Sequence, residues 1–508
     1  MITLLVTVLL GPAPPASADA RPTVRTTEGT VRGRALGGSD FFGSVPYAAA
    51  PTGALRWEAP RPVRPWHGVR DTVAPSPACA QSENSNGPRT ETEDCLKVDI
   101  WRPHTPDARA GRAPVLFWIF GGGGINGAGS QYDARALAEE TGSVVVAVNH
   151  RLGWLGFLAL PELTREGGRD GTVSGQYGFL DQIAALRWVR ANARAFGGDP
   201  HRVAIAGQSA GGRAVCRLMA SPRAAGLFQK AIIQSGACNA DALAPREQQG
   251  TGLAGRLGCT DPATVLTCLR QLPPGRFVDQ PDPPGTPTIG GTALPRDPQQ
   301  AVRDGAFSRV PVLIGNTRDE NRPYPGIAQP ATAQSYEAWV RRGYPDHADA
   351  VLAHYRDLAP PDAAGAVASD PDRVCRTWKI EGLLARRTPV YAYEFADRTA
   401  PAEAVTPGFS WGAYHTTELE YLFRFTRWDG SQKFLTGLNR AQERLAREMR
   451  ARWGAFLHTG APGSNWPRQY GDHAPVMRFD LPGPSLTRDF TADHRCEFWD
   501  RNGLIKLK

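Results

Sequence analysis

Val203-Ala-Ile-Ala-Gly-Gln-Ser-Ala-Gly-Gly-Arg-Ala-Val-Cys-Arg-Leu-Met-Ala220 decides how this chain folds. The apolar run Val203–Ala206 predicts a buried strand, Gly207–Gly212 a sharp turn, and Arg213–Ala220 a helix. G-x-S-x-G set between strand and helix lifts the serine hydroxyl to the tip of a sheet. Glycines flank Ser209 because so tight a turn leaves no room for Cβ atoms. The helix that follows points its N-terminus, with about half a positive charge, at any anion formed there. The expected class is therefore α/β, with Ser209 as a nucleophile.

A serine nucleophile needs a base, an acid to orient that base, and donors for the oxyanion. Pro114-Val-Leu-Phe-Trp-Ile-Phe120 reads as a second buried strand and ends in Gly121-Gly122-Gly123-Gly124. Consecutive glycines after a strand let backbone N–H groups turn towards a developing negative charge. A nucleotide phosphate loop is the competing reading. It would need a helix-opening G-x-G-x-x-G or a Walker Lys-Ser/Thr, and neither occurs.

The chain has 508 residues, 41% of them apolar and 21% charged, which excludes wholesale disorder. The length allows two domains or one α/β unit enlarged by loops, and the 55 Gly and 44 Pro, scattered in turn-like clusters, favour the second; no solenoid repeat is visible. No stretch reaches the roughly 18–20 apolar residues of a membrane span. The formal charge is +8, and only six of the 58 basic residues are Lys. Arg is dispersed among Ala, Gly, Pro and Asp rather than gathered with aromatics on one face, so no nucleic-acid partner is expected. Ile2–Leu10 followed by Ala16-Ser17-Ala18 has the form of a cleaved export signal without its basic start. Residues 1–18 are thus expected to leave, and the product to be secreted. Eight cysteines suit an oxidising compartment. Spacing alone does not pair them. Cys79/Cys95 and Cys259/Cys268 have the reach of local staples, and Cys375 with Cys496 would tie the C-terminus back. Cys216 and Cys238 stay open between two buried thiols and an extra bridge. No zinc-ligand spacing is present.

Further blocks extend the pattern: Glu93-Asp-Cys-Leu96, Val146-Ala-Val-Asn-His-Arg-Leu-Gly-Trp-Leu-Gly-Phe157, Tyr177-Gly-Phe-Leu-Asp-Gln182, Phe196-Gly-Gly-Asp-Pro200 and Cys496-Glu-Phe-Trp499. With the serine turn and the glycine loop, they resemble the type-B carboxylesterase and cholinesterase family, in family order, from about residue 22 to 503. The resemblance implies an α/β-hydrolase fold: a central, mostly parallel twisted sheet flanked by helices, with long loop and helical insertions. Residues 19–508 would form a single catalytic domain. Asn316-Thr-Arg-Asp-Glu320 is similar to the family's acid loop and nominates Glu320 over its neighbour Asp319. Gly412-Ala-Tyr-His415-Thr-Thr-Glu418-Leu is similar to G-x-x-H-x-x-E-L and nominates His415 as base. The order Ser209, Glu320, His415 follows that of the fold. By the same carry-over the oxyanion donors are the N–H groups of Gly122, Gly123 and Ala210. The implied disulfides are Cys79–Cys95, Cys259–Cys268 and Cys375–Cys496.

Three departures bear on chemistry. Gln208 stands where the family usually has Glu, which removes a negative charge beside the histidine and weakens selection for a cationic substrate. Phe120 replaces the usual His or Tyr before the glycine run. Asn321 replaces a Gly after the acid, which suits a left-handed position. Ala80–Asp94 carries no aromatic residue, whereas cholinesterases stack choline on a Trp there. Its polar stretch Gln81-Ser-Glu-Asn-Ser-Asn86 also makes a poor lipase lid. The expectation is a secreted, monomeric serine carboxylesterase acting on small-molecule esters, without metal, cofactor or stable membrane association. Ser209 Oγ should lie within hydrogen-bond reach of His415 Nε2, or slightly beyond in the free enzyme. Alternatives are a lipase, a hydrolase of thioesters, lactones or carbamates on the same residues, or a non-catalytic binding or adhesion member. The retained Ser209, Glu320, His415 and glycine loop argue against the last.

Overall fold

A computed structural model describes residues 21–470, 474–505 and 507, so the leader read over residues 1–18 lies outside the described residues. One sheet of eleven strands runs through the molecule. In chain order its strands are β1 (Arg34–Ala35), β2 (Ser39–Pro46), β3 (Lys97–Pro103), β4 (Ala113–Ile119), β5 (Val144–Val148), β6 (Gly198–Gln208), β7 (Lys230–Gln234), β8 (Val312–Thr317), β9 (Val390–Phe395), β10 (Val476–Phe479) and β11 (Ser485–Thr487). Across the sheet the order is β11-β10-β9-β8-β7-β6-β4-β5-β3-β2-β1. From β10 to β5 every pairing is parallel; towards either edge the pairings turn antiparallel. This is the α/β class expected from the strand–turn–helix reading, with the mostly parallel sheet that the family resemblance implied.

Parallel strands covered on both faces need unbroken apolar runs. All residues of β4, β5, β7, β8 and β9 are buried, and Val203–Gln208 of β6 are too. Helix α1 (Tyr177–Asn192) leads towards β6, α2 (Ala210–Ala220) leaves it, and α3 (Cys375–Ala385) precedes β9. Helix α4 (Arg440–Thr459) starts at Asn439, whose side chain accepts the N–H groups of Ala441 and Gln442, and ends at Gly460 at φ 80°. Its Leu445, Met449, Trp453 and Phe456 are buried at helical spacing, so its apolar stripe packs inward; Arg440, Arg444 and Arg447 face out, while the buried Arg450 is paired with Glu140 and donates to Tyr421 O. Burying each side chain of the apolar stripe contributes about 1.5–3 kcal/mol.

Two of the sequence blocks act as internal ties. The buried Arg151 guanidinium is forked onto Asp181, with Nη2 2.7 Å from Oδ1, and also donates to Glu58 O. Arg56 grips Glu93 in the same bidentate way and donates to Leu272 O. Disulfides join Cys79–Cys95, Cys259–Cys268 and Cys375–Cys496, and a fourth joins Cys216–Cys238. Cys216 lies on α2 and Cys238 shortly after β7, so the bond ties the helix to the strand that it feeds.

Candidate active site

In open parallel sheets, sites form beyond the carboxyl ends of the strands. Here the glycine loop follows β4, Ser209 follows β6, and Glu320 follows β8. Ser209 is the residue between β6 and α2, at φ 56° and ψ −118°. For a non-glycine residue this is a strained conformation. Its N–H donates to Gln234 O at 2.8 Å, which fastens the turn to β7. The glycines are required by crowding: a Cβ on Gly211 would lie 2.0 Å from Ile119 O, and one on Gly207 2.5 Å from Gly211 C.

Glu320 is fully buried, and its Oε2 lies 2.5 Å from His415 Nδ1. Asn316 Nδ2 and the Thr317 N–H donate to its other oxygen. Burial alone would raise this carboxyl. The charges of His415 and Arg373 and the hydrogen bond from His415 outweigh it and hold Glu320 at about 2. An ionised Glu320 can only accept, so His415 Nδ1 carries the proton and Nε2 is left as a base. His415 itself is shifted below its ordinary value, by burial first and then by the cations Arg373 and Arg213, against the pull of Glu320. Its neighbour Thr416 is held at φ 85°. Asp319, the other carboxylate of the loop, turns away: it is forked to Arg398 and accepts the Ala413 N–H.

Ser209 and His415 border one cavity of about 390 Å³, together with Gly121, Gly122, Gly123, Gln208 and Tyr132. Among the described residues Ser209 Oγ makes no hydrogen bond, so the expected bond to His415 Nε2 is not formed. It is Gln208 Nε2 that approaches the ring nitrogens, at 3.4 and 3.5 Å. Such contacts commonly tighten only when substrate is bound. The N–H groups of Gly122, Gly123 and Ala210 donate to no described acceptor, and Gly122 and Gly123 sit at φ 101° and 71°. A Cβ on Gly122 would lie 2.2 Å from Asn126 O, so only glycine fits there. Phe120 stacks on His150 with ring centres 4.6 Å apart.

Asn321 corrects one expectation. It does not take the left-handed conformation; its N–H donates to Ser369 Oγ and its amide to Ala368 O. The polar disulfide loop reaches the cavity through Ser85 and Asn86. Asn86 accepts from Lys433 Nζ and donates to Asn126, so it is pinned at the rim. Arg213 and Arg373 also line the cavity, which the motifs did not reveal. The available signal was positional: Arg213 stands four residues after Ser209, one helical turn along the same face. Glu418, from the histidine motif, is fully buried without a hydrogen-bond partner among the described residues, and burial and the Glu320 charge push it up to about 8.

Comparison with known proteins agrees with this geometry. The carboxylesterase family matches residues 20–337 and 364–499. Fumonisin B1 esterase of Sphingopyxis macrogoltabida is 35% identical over 478 residues, covering 89% of this chain and 86% of that one. Human carboxylesterase 3 is 32% identical over 523 residues, covering 90% and 88%. Among solved structures, a thermophilic PNB esterase superposes with a TM-score of 0.77 at 28% identity, covering 94% of this chain and 99% of that one. The chain belongs to the carboxylesterase family and is a carboxylic-ester hydrolase.

Proposed function

We propose that Ser209, His415 and Glu320 perform the hydrolysis, with the Gly122, Gly123 and Ala210 N–H groups as oxyanion donors. His415 Nε2 takes the proton of Ser209 Oγ as the oxygen attacks the ester carbonyl carbon. The backbone donors hold the resulting oxyanion, a stabilisation typically worth about 3–4 kcal/mol per donor. Collapse expels the alcohol, which leaves with the proton from His415. Water, deprotonated by the same imidazole, then releases the acid from Ser209. Glu320 keeps the imidazole in its Nδ1–H form and stabilises its charged state. One observation carries the assignment: a histidine bonded through Nδ1 to a buried, ionised glutamate shares a cavity with a strained serine and unengaged N–H groups.

The test is a panel of p-nitrophenyl esters of rising acyl length, run beside Ser209→Ala. Turnover should fall by about 10⁴-fold or more in the variant. Full activity in Ser209→Ala would sink the mechanism. An optimum at long acyl chains would favour a lipase; the polar rim at Ser85 and Asn86 favours short, soluble esters. We also assign residues 19–508 to one catalytic domain, active as a monomer and released after cleavage behind Ala18. Four disulfides support an oxidising destination. N-terminal sequencing of exported protein, expected to begin at Asp19, tests the leader.

A further inference from the structure

The cavity holds two guanidinium groups that ester hydrolysis does not require. Arg213 lies one turn along α2 from Ser209, its own N–H donating to Ser209 O at 2.9 Å, and its side chain borders the cavity. That guanidinium makes no hydrogen bond, ion pair or ring contact with any described residue. The carboxylate whose charge it feels, Asp241, is already forked to Arg246. Arg373 reaches the same cavity from the turn before α3. Its nearest carboxylate is Glu320, 3.8 Å away and already committed to His415. The third cation of the cavity, Lys433, behaves differently: Glu403 neutralises it at 3.0 Å and Asn86 Oδ1 accepts a hydrogen bond from its Nζ. Burial, and then the charges of Arg373 and Arg376, lower Arg213 to about 10, so it stays charged at neutral pH.

Proteins rarely keep a partly desolvated cation without a partner, because its lost hydration is not offset. Where such a cation faces a concave site beside the reacting group, the missing partner is supplied by the ligand. A guanidinium fork matches a planar carboxylate and binds it through charge-assisted hydrogen bonds. Resting on the assignment of Ser209 as nucleophile, we propose that the preferred substrate is an ester carrying a free carboxylate, which Arg213 and Arg373 bind while its ester carbonyl lies at Ser209. Two sources share this chemistry: a half-ester of a dicarboxylic acid, with the charge on the acyl side, and an ester of a hydroxy acid, with the charge on the alcohol side. The carboxylate also relieves the repulsion between the two guanidinium groups.

The experiment compares matched pairs on the full-length enzyme. Mono-p-nitrophenyl glutarate is set against p-nitrophenyl valerate, and 4-butyryloxybenzoate against phenyl butyrate. At low salt, at least one charged ester should exceed its neutral partner in kcat/KM by about tenfold or more. The responding pair identifies the charged side. The preference should shrink with added salt, because screening weakens the attraction. Arg213→Gln and Arg373→Gln should each reduce the charged-to-neutral ratio severalfold, with Arg213→Lys restoring part of it. Free glutarate should inhibit competitively, and more strongly than valerate. That measurement and the salt dependence use the wild-type enzyme, so they decide the matter even if a variant does not fold. Ratios at or below one for both pairs, or a preference that survives both substitutions, would overturn the proposal. Its failure stays separate from failure of the nucleophile assignment, which is read from neutral p-nitrophenyl acetate with and without Ser209→Ala.

Discussion

Gln208 Nε2 lies 3.4 Å from Nε2 of His415 and 3.5 Å from its Nδ1. Contact with both nitrogens places the amide against the flank of the ring, since Nδ1 is already bonded to Glu320. The group next to His415 is therefore polar but uncharged. A carboxylate here would stabilise the imidazolium and attract cations.

Gln208→Glu turns that difference into a prediction. An opposite charge within about 4–6 Å raises a histidine by roughly one unit or more. The acid limb of kcat/KM against pH should move upward by about that amount on a neutral ester. Relative activity on a thiocholine ester, against its neutral counterpart, should rise as well. An unmoved acid limb would show that the amide contact has no electrostatic bearing on the base.

Arg373→Gln tests the opposing charge. Burial and the Arg373 cation both hold His415 below its ordinary value, and in the proposed mechanism only neutral His415 accepts the serine proton. Activity is therefore retained above the depressed His415 value and lost as pH falls through it. Removing the cation should raise that value, so the acid limb moves to higher pH on p-nitrophenyl acetate. The same loss weakens the hold on Glu320, which now sits at about 2. A limb that stays in place, or moves downward, contradicts this account of the field around His415.

Ser209 and the glycine loop were legible in the sequence because each is a contiguous block with its own backbone demand, whereas Glu320 and His415 were read through the resemblance of their blocks to the family's acid loop and histidine motif. Crowding at Gly211 and Gly207 fixes residue identity locally, and local constraints leave readable patterns. The apolar runs likewise announced buried parallel strands, although strand order across the sheet depends on crossovers that no single run encodes. Arg213 and Arg373 were hidden for another reason. They meet only through the fold, one on α2 and one before α3, and a chain rich in Arg gives neither a distinctive signal. Asn321 misled because its amide found partners on Ser369 and Ala368, which removes the need for a left-handed backbone.

The Cys216–Cys238 bond predicts a stability effect. It closes a loop of sequence separation 22, and both cysteines are fully buried. In the chain-entropy view such a loop contributes about 3 kcal/mol. The double variant Cys216→Ala/Cys238→Ala should therefore melt at lower temperature and lower denaturant concentration. Because Ser209 immediately precedes α2, activity on neutral esters should also fall at temperatures below the melt. A double variant as stable as wild type would show that packing alone holds α2 against β7.

His494 carries the last prediction. It lies fully buried between two carboxylates, with Nδ1 2.8 Å from Asp370 Oδ1 and Nε2 2.6 Å from Glu394 Oε1. Tyr355 Oη donates to the other oxygen of Asp370, and Arg478 Nε to the other oxygen of Glu394. Burial opposes a charge on the ring, but hydrogen bonds and charges from Asp370 and Glu394 prevail and raise His494 to about 9. Both ring nitrogens therefore donate, and the ring is an imidazolium at neutral pH. Its folded value exceeds the ordinary 6.5, so its contribution to stability is complete below about pH 6.5 and is lost as pH rises through about 9. The melting temperature of wild type should decline across that window for this reason. His494→Gln leaves the buried Asp370 without its cation and Glu394 with only Arg478 and Arg318, and should cost about 3–5 kcal/mol at pH 7. The same variant should flatten the decline between pH 6.5 and 9. Thermal melts of both proteins at a series of pH values check both parts. A variant that is destabilised yet keeps the full pH slope would show that His494 packs there without titrating.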